Sequence, residues 1–134
     1  MQTPARGRLT DSAAAPAIGE LAETIVLVDG VRIGQILSGE LNQAIGYDQD
    51  HDEWVVLLQG DADIEMDGER ITLGPGDWLY LPRRTPHRLI RAARGTNWLT
   101  VDFAGPKNPP GNVPSGGVDP GTSARGSPRD PSTD

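Results

Sequence analysis

The stretch EWVVLLQG, residues 53–60, combines an acidic residue, five apolar residues in a row and a closing glycine. In a strand, successive side chains point to opposite faces, so odd- and even-numbered residues of this run lie on different sides. Both faces are apolar beyond Glu53, so both are expected to be covered. One face can line a barrel. The other requires a second sheet, the N-terminal segment or a partner subunit, and we therefore expect a homodimer.

Short β-rich runs separated by turn residues occupy the chain from residue 24 to residue 103. Asp67-Gly68 joins two alternating runs and predicts a hairpin with a type I′ turn, which needs positive φ at both central residues. The stretch IGELAE, residues 18–23, predicts a single helical turn. Strands at spacings of about 8–12 residues with no long helix between them indicate an all-β sandwich or barrel.

The length of 134 residues fits one domain with loose ends. Residues 1–17 are predicted to form a flexible N-terminal segment, and residues 18–104 the barrel domain. In residues 105–134, 17 of 30 residues are Gly, Pro or Ser, and no aromatic residue is present. Such a segment buries too little surface to offset the entropy of ordering it, so a disordered tail is expected.

Charge and composition exclude several kinds of partner. The formal net charge is −7, which disfavours binding to nucleic acid and to anionic membranes. No apolar run approaches the length of a membrane-spanning helix, so a cytoplasmic protein is expected. The absence of cysteine excludes disulfides and thiolate metal ligands.

A group of polar side chains precedes the apolar run. If the chain from residue 47 onwards is extended, Tyr47, Gln49, His51 and Glu53 point to the same side. His87 begins another predicted strand and could point into the same interior. Histidine and carboxylate ligands brought together from two strands are typical of non-haem iron, manganese and zinc sites.

Other interpretations of these residues are also consistent with the sequence. His51 lies within DQDHDE, a pattern typical of a solvated turn. Tyr47 and Gln49 suit either direct contact with a ligand or hydrogen bonding behind it. Arg91 has the same strand parity as His87 and could bind a carboxylate or phosphate group in the pocket. Asp102 alternates with apolar residues of the last strand and could lie at the barrel mouth.

Two motifs resemble those of the cupin superfamily of small β-barrels. Glu53 is followed by six residues and then by Gly60, as at the end of the first cupin motif. LGPGDWLYLPRRTPH, residues 73–87, resembles the second motif, with Gly76, Pro82 and His87 at the expected spacing. The resemblance covers the whole predicted strand region and implies a double-stranded β-helix barrel.

The first motif departs from the family pattern, because Tyr47 and Gln49 stand where the family has its two histidines. The resemblance implies that Glu53 and His87 hold a divalent metal ion (iron, manganese, zinc or nickel), with Gln49 or His51 completing the ligand set.

The resemblance also implies a function inside the barrel. A metal-dependent isomerase, lyase or oxygenase acting on one small polar or anionic molecule is one hypothesis. The alternative is a non-catalytic binding or sensor module without stable metal, whose ligand would contact Tyr47, Gln49 and Arg91.

Overall fold

The computed structural model describes residues 4–103 and contains one short 3-10 helix and nine strands. The helix spans Ser12–Ala14. The strands are β1 (Glu20–Val28), β2 (Val31–Ser38), β3 (Ile45–Tyr47), β4 (Asp52–Gln59), β5 (Ala62–Met66), β6 (Glu69–Leu73), β7 (Trp78–Leu81), β8 (His87–Ala92) and β9 (Thr96–Phe103). The predicted all-β class and the barrel architecture are confirmed.

Two antiparallel sheets face each other and enclose the core. The five-stranded sheet has the order β1-β2-β9-β4-β7, and the four-stranded sheet has the order β3-β8-β5-β6. Residues of β4 alternate as expected: Glu53, Val55 and Leu57 are buried, whereas Trp54 and Val56 on the opposite face are partly exposed. The run EWVVLLQG therefore lies on an inner strand of the larger sheet, between β9 and β7, with one face inside the barrel.

Two positions require the backbone conformation that glycine adopts most easily. Asp67 and Gly68 have φ values of 57° and 78°, which is the left-handed conformation that the predicted hairpin requires. Gly60 ends β4 with φ of 98°, and a Cβ there would lie 2.4 Å from Thr96 Oγ1. Only glycine fits this close approach without displacing β9.

The N-terminal part of the chain differs from one expectation. The helical turn predicted for residues 18–23 is wrong, because β1 begins at Glu20 and pairs with β2 along its length. Among the earlier residues, Thr10 N donates to Gln35 Oε1 at 2.9 Å, and Ser12 Oγ donates to Gln59 Oε1 at 2.8 Å. The domain boundaries stay predictions, and the tail predicted for 105–134 lies outside the described residues.

No helix within residues 4–103 is long and apolar enough to cross a membrane. The cytoplasmic location stays a prediction.

Candidate functional site

A small cavity lies between the two sheets at the centre of the barrel. Its volume is about 30 Å³. Its apolar lining includes Trp98, and its polar lining consists of Glu20, Tyr47, Glu53 and His87. A volume of this size holds one or two water-sized groups. Three of the predicted site residues therefore reach the same space, together with Glu20, which the sequence did not single out.

Glu53 lies on β4 and its side chain is completely buried, at 0% exposure. The register of the sheet places it beside Asp102 of β9 and Leu81 of β7. The inward position predicted from the motif is confirmed. A buried carboxylate needs polar partners, and the neighbouring strands bring several charged groups close to it.

His87 begins β8, and Tyr47 lies opposite it on β3. The two rings stack, with centroids 5.4 Å apart and planes inclined by 20°. The Nδ1 atom of His87 lies 3.0 Å from the carbonyl oxygen of Thr85. Since a carbonyl can only accept, Nδ1 carries the proton in this contact.

A hydrogen-bonded chain links Tyr47 to the start of β1. The Tyr47 hydroxyl donates to Glu20 Oε1, and Ser38 Oγ donates to Glu20 Oε2 at 2.8 Å. The indole Nε1 of Trp98 donates in turn to Ser38 Oγ at 3.0 Å. The tyrosine at the place of a motif histidine thus has its hydroxyl bound to a carboxylate of the same chain.

His51 is buried at 2% exposure, so the solvated turn expected from DQDHDE is wrong. Its Nδ1 lies 3.2 Å from Asp50 Oδ1, and its Nε2 lies 3.4 Å from Asp102 Oδ1. Burial, the largest single influence, lowers the pKa of His51. The carboxylates of Asp102, Asp50 and Glu53 together outweigh burial and raise the pKa above 6.5. Both ring nitrogens therefore face carboxylates, as in a buried imidazolium.

Asp102 is part of the interior rather than of a solvated rim. Its Oδ2 atom accepts hydrogen bonds from Arg32 Nε at 3.3 Å and from Arg32 Nη2 at 3.0 Å. Arg32 lies directly opposite Asp102 on β2. Asp102 thus contacts both the Arg32 guanidinium and the buried His51 ring.

The remaining predicted residues do not line the cavity. Gln49 is buried, and its backbone carbonyl accepts a hydrogen bond from Arg84 N at 2.7 Å. The prediction that Arg91 shares a face with His87 is wrong. The pairing of β8 with β5 shifts by one residue between Leu89 and Arg91, and such a bulge reverses the alternation. Arg91 therefore points outward and pairs with Asp61 at 2.6 Å.

The residues predicted to hold a metal ion do not form a complete set of ligands. Among residues 4–103, no three histidine, aspartate or glutamate side chains are grouped closely enough to hold a metal. Tyr47 and His51 contact carboxylates, and the conventional metal donors of the predicted set that line the cavity are Glu53 and His87. Protein sites for these metals usually use three or four such ligands, so the set does not fit a closed metal site.

Sequence reasoning missed three polar residues of the interior: Glu20, Arg32 and Ser38. Each lies on β1 or β2, where the surrounding residues form ordinary apolar runs and no motif marks the polar positions. The one pattern in the sequence that indicates any of them is the alternation of side chains along β2, which places Arg32 and Ser38 on the same face of the strand.

Comparisons with known proteins identify the fold family. The model for the cupin domain family matches residues 35–101. A protein from Ralstonia eutropha JMP134, provisionally assigned as a mannose-6-phosphate isomerase, is 33% identical. The match covers 75% of this chain and 98% of that protein, with a TM-score of 0.63.

More distant structures share the fold. A cupin superfamily protein from Desulfitobacterium hafniense DCB-2 is 23% identical over 75% of this chain and 93% of its own, with a TM-score of 0.55. KdgF from Halomonas sp. is 16% identical over 66% and 82% of the two chains, also with a TM-score of 0.55. No functionally curated protein matches the sequence.

Proposed function

Since this chain belongs to the cupin superfamily, we propose that it is a ligand-binding barrel that takes one small polar molecule and holds no divalent metal tightly. The observation that carries the proposal is the hydrogen bond from Tyr47 to Glu20. It occupies the hydroxyl of a residue that stands in the place of a motif histidine. The side chains inside the barrel are therefore positioned by contacts with one another.

The size of the cavity supports a small ligand. Pockets for organic ligands usually measure about 300–1,000 Å³, whereas this cavity measures about 30 Å³. No arginine or lysine of the described chain lines it, and Arg91, predicted to bind an anion, lies outside. These features disfavour a hexose phosphate held inside the barrel.

Elemental analysis tests the absence of a firmly held metal. The protein is purified without a chelating tag, beside Glu53→Ala and His87→Ala. We expect less than about 0.1 metal ion per chain in all three, and no thermal shift on adding zinc, manganese, iron or nickel. Near-stoichiometric metal in the wild type that is lost in both variants would overturn the proposal.

Ligand-detected NMR tests the binding itself. Small hydroxy, amino and carboxylic acids are added to the wild type and to His87→Ala. We expect saturable binding of at least one of these to the wild type and weaker binding to the variant, because His87 lines the cavity. If none of them binds the wild type, the ligand-binding role is wrong.

A second candidate is a metal-dependent isomerase, lyase or oxygenase, with Glu53 and His87 as ligands and Gln49 or His51 completing the set. One observation favours it: Nδ1 of His87 faces the carbonyl of Thr85, the outer contact that metal-binding histidines usually make. A bound iron, manganese, zinc or nickel ion would act there as a Lewis acid or activate oxygen. The elemental analysis above distinguishes the two candidates.

We also propose that the outer face of the five-stranded sheet packs against a second copy of the chain. The register places one apolar residue of each strand in a continuous row: Val26, Ile33, Val101, Trp54 and Tyr80. Trp78, beside this row, is 59% exposed. The aromatic residues lie at the β7 edge and the aliphatic ones at the β1 edge. A twofold axis near β9 would therefore pack the aromatic half of each copy on the aliphatic half of the other.

The size of this face agrees with a dimer. Five strands about 4.8 Å apart, each with on average about three outward residues spaced by about 6.7 Å, give a projected area of about 480 Å² per copy. Two copies would bury about 1,000 Å², near the lower limit for a specific interface. Light scattering after gel filtration should give twice the monomer mass for the wild type and for Leu27→Lys, and the monomer mass for Trp78→Lys. A monomeric wild type would exclude the dimer.

A further inference from the structure

We propose that Glu20 fills a carboxylate-binding subsite inside the barrel, where the carboxylate of a small ligand binds after the Glu20 side chain has moved out. The inference rests on the proposed ligand-binding function and names the ligand class, a small carboxylic acid. Nothing in the cupin motifs involves this residue, which lies on β1, before the region that matches the family model.

Two hydroxyl groups hold the Glu20 carboxylate. The Tyr47 hydroxyl donates to Oε1, and the Ser38 hydroxyl donates to Oε2 at 2.8 Å. Each carboxylate oxygen thus has its own O–H donor, from two different sheets of the barrel. Directed donors of this kind, in a pocket whose other polar lining residues are Glu53 and His87, fix the orientation of a planar anion.

The two donors are held in place by groups other than Glu20. Trp98 Nε1 donates to Ser38 Oγ at 3.0 Å, so the hydroxyl proton of Ser38 is directed to the carboxylate. Ser38 and Trp98 are both buried. The Tyr47 ring stacks on His87 and lies within the core. The Ser38 and Tyr47 hydroxyl groups are therefore held in position before a ligand binds, which lowers the entropy cost of binding.

Glu20 is positioned so that its side chain can leave without the strand. It lies on the edge strand β1 and is half-buried. The backbone beside it is fixed separately, since Gly39 N donates to Gly19 O at 2.7 Å and Gly19 N donates to Glu40 O at 2.8 Å. Rotation of the side chain would vacate a space of carboxylate size next to the existing cavity.

The exchange also preserves the charge of the interior. Glu53 lines the same cavity, and an additional anion beside it would be costly. A ligand carboxylate that replaces the Glu20 carboxylate adds no charge, because the native arrangement already tolerates one at this position. This explains how an acidic pocket can bind an acidic ligand.

Carboxylate rescue of Glu20→Ala tests the inference. Thermal unfolding is followed in sodium formate, sodium acetate and sodium chloride at equal concentrations. We expect Glu20→Ala to lower Tm in chloride by about 5–10 °C, because two buried hydroxyls lose their acceptor. Formate or acetate should restore most of this loss with a saturable dependence on concentration. Adding Tyr47→Phe should weaken the restoring effect about tenfold.

Glu23→Ala is the matched control, because Glu23 lies on the same strand and accepts a hydrogen bond from Thr10 Oγ1 at the surface, at 2.9 Å. Its Tm should respond equally to acetate and chloride. The inference would be overturned if Glu20→Ala folded and responded no more to formate or acetate than to chloride. Failure of Glu20→Ala to fold in all three salts would overturn it as well, because an occupied subsite should restore the fold.

These outcomes are separate from those of the proposed function. Binding of a small acid to the wild type with no rescue of Glu20→Ala would reject the subsite and retain the ligand-binding barrel. Rescue of Glu20→Ala together with a stoichiometric metal in the wild type would retain the subsite and reject the metal-free barrel.

Discussion

Replacement of Asp102 by asparagine should destabilise the protein strongly, because two cationic groups depend on its carboxylate. Arg32 lies 3.0 Å from Oδ2, and His51 Nε2 lies 3.4 Å from Oδ1. The Asp102 side chain is only 6% exposed, so water cannot replace it, whereas Arg32 is 21% exposed and can be partly hydrated. Breaking a buried ion pair costs about 3–5 kcal/mol, and the hydration of Arg32 reduces this to about 2–4 kcal/mol. The expected fall in Tm is roughly 10–25 °C.

Urea unfolding followed by tryptophan fluorescence measures this loss at about pH 5.5 and about pH 8. The folded-state pKa of His51 is raised above its unfolded value of 6.5. Its contribution to stability is therefore complete below the unfolded pKa and is lost as the pH rises through the folded pKa. Asp102→Asn removes one of the carboxylates that raise this pKa, so the loss of stability between the two pH values should be smaller in the variant.

Asp63→Asn is the control for removal of a carboxylate from a more exposed ion pair. Asp63 pairs with Arg70 at 2.7 Å, and the Arg70 side chain is 57% exposed. We expect a cost of about 1–2 kcal/mol, below that of Asp102→Asn, because both arginine partners of Asp63 are about half exposed. The reasoning would be refuted if Asp102→Asn changed the free energy of unfolding by less than about 0.5 kcal/mol. It would also fail if the wild type and the variant had the same dependence on pH.

Three further predictions concern the core, the outer salt bridges and acid stability. Leu57→Ala should cost about 3–4 kcal/mol in urea unfolding, because Leu57 is fully buried, whereas Leu27→Ala at an exposed position should cost less than about 1 kcal/mol. Arg91→Ala should leave ligand-detected NMR signals unchanged, since Arg91 pairs with surface acids; a loss of binding would show that it reaches the ligand. Hydrogen bonding to Arg70 is the main cause that lowers the pKa of Asp63 from 3.8 to about 2, so its stabilising effect is complete above pH 3.8 and is lost as the pH falls through about 2. In acid titration, Asp63→Asn should show a smaller loss of stability over this range than the wild type.

Local patterns were sufficient to predict the fold and the inward positions of Glu53 and His87. Asp67-Gly68 predicted the hairpin because its backbone conformation is a property of those two residues. The spacing from Glu53 to Gly60 predicted an inward carboxylate, since both lie on one continuous strand, β4, or at its end. The position of His87 at the start of β8 followed in the same way from the second motif.

Contacts between distant parts of the chain decided the rest. A bulge in β8 turns Arg91 outward, although simple alternation places it beside His87. His51 contacts Asp102, 51 residues away, on β9, the strand that pairs with β4, and a charged stretch carries no signal of such a partner. Glu20 enters the interior only because β1 pairs with β2 and Tyr47 lies on the facing sheet.

The sequence by itself therefore determined most of the strands, the hairpin and the inward positions of Glu53 and His87, because alternation, turn conformation and spacing act within one or two strands. Only the tertiary structure decided which charges surround Glu53 and which groups occupy the cavity. Those contacts depend on the pairing of strands far apart in the chain, and one extra residue at a bulge is enough to reverse the face on which a side chain lies.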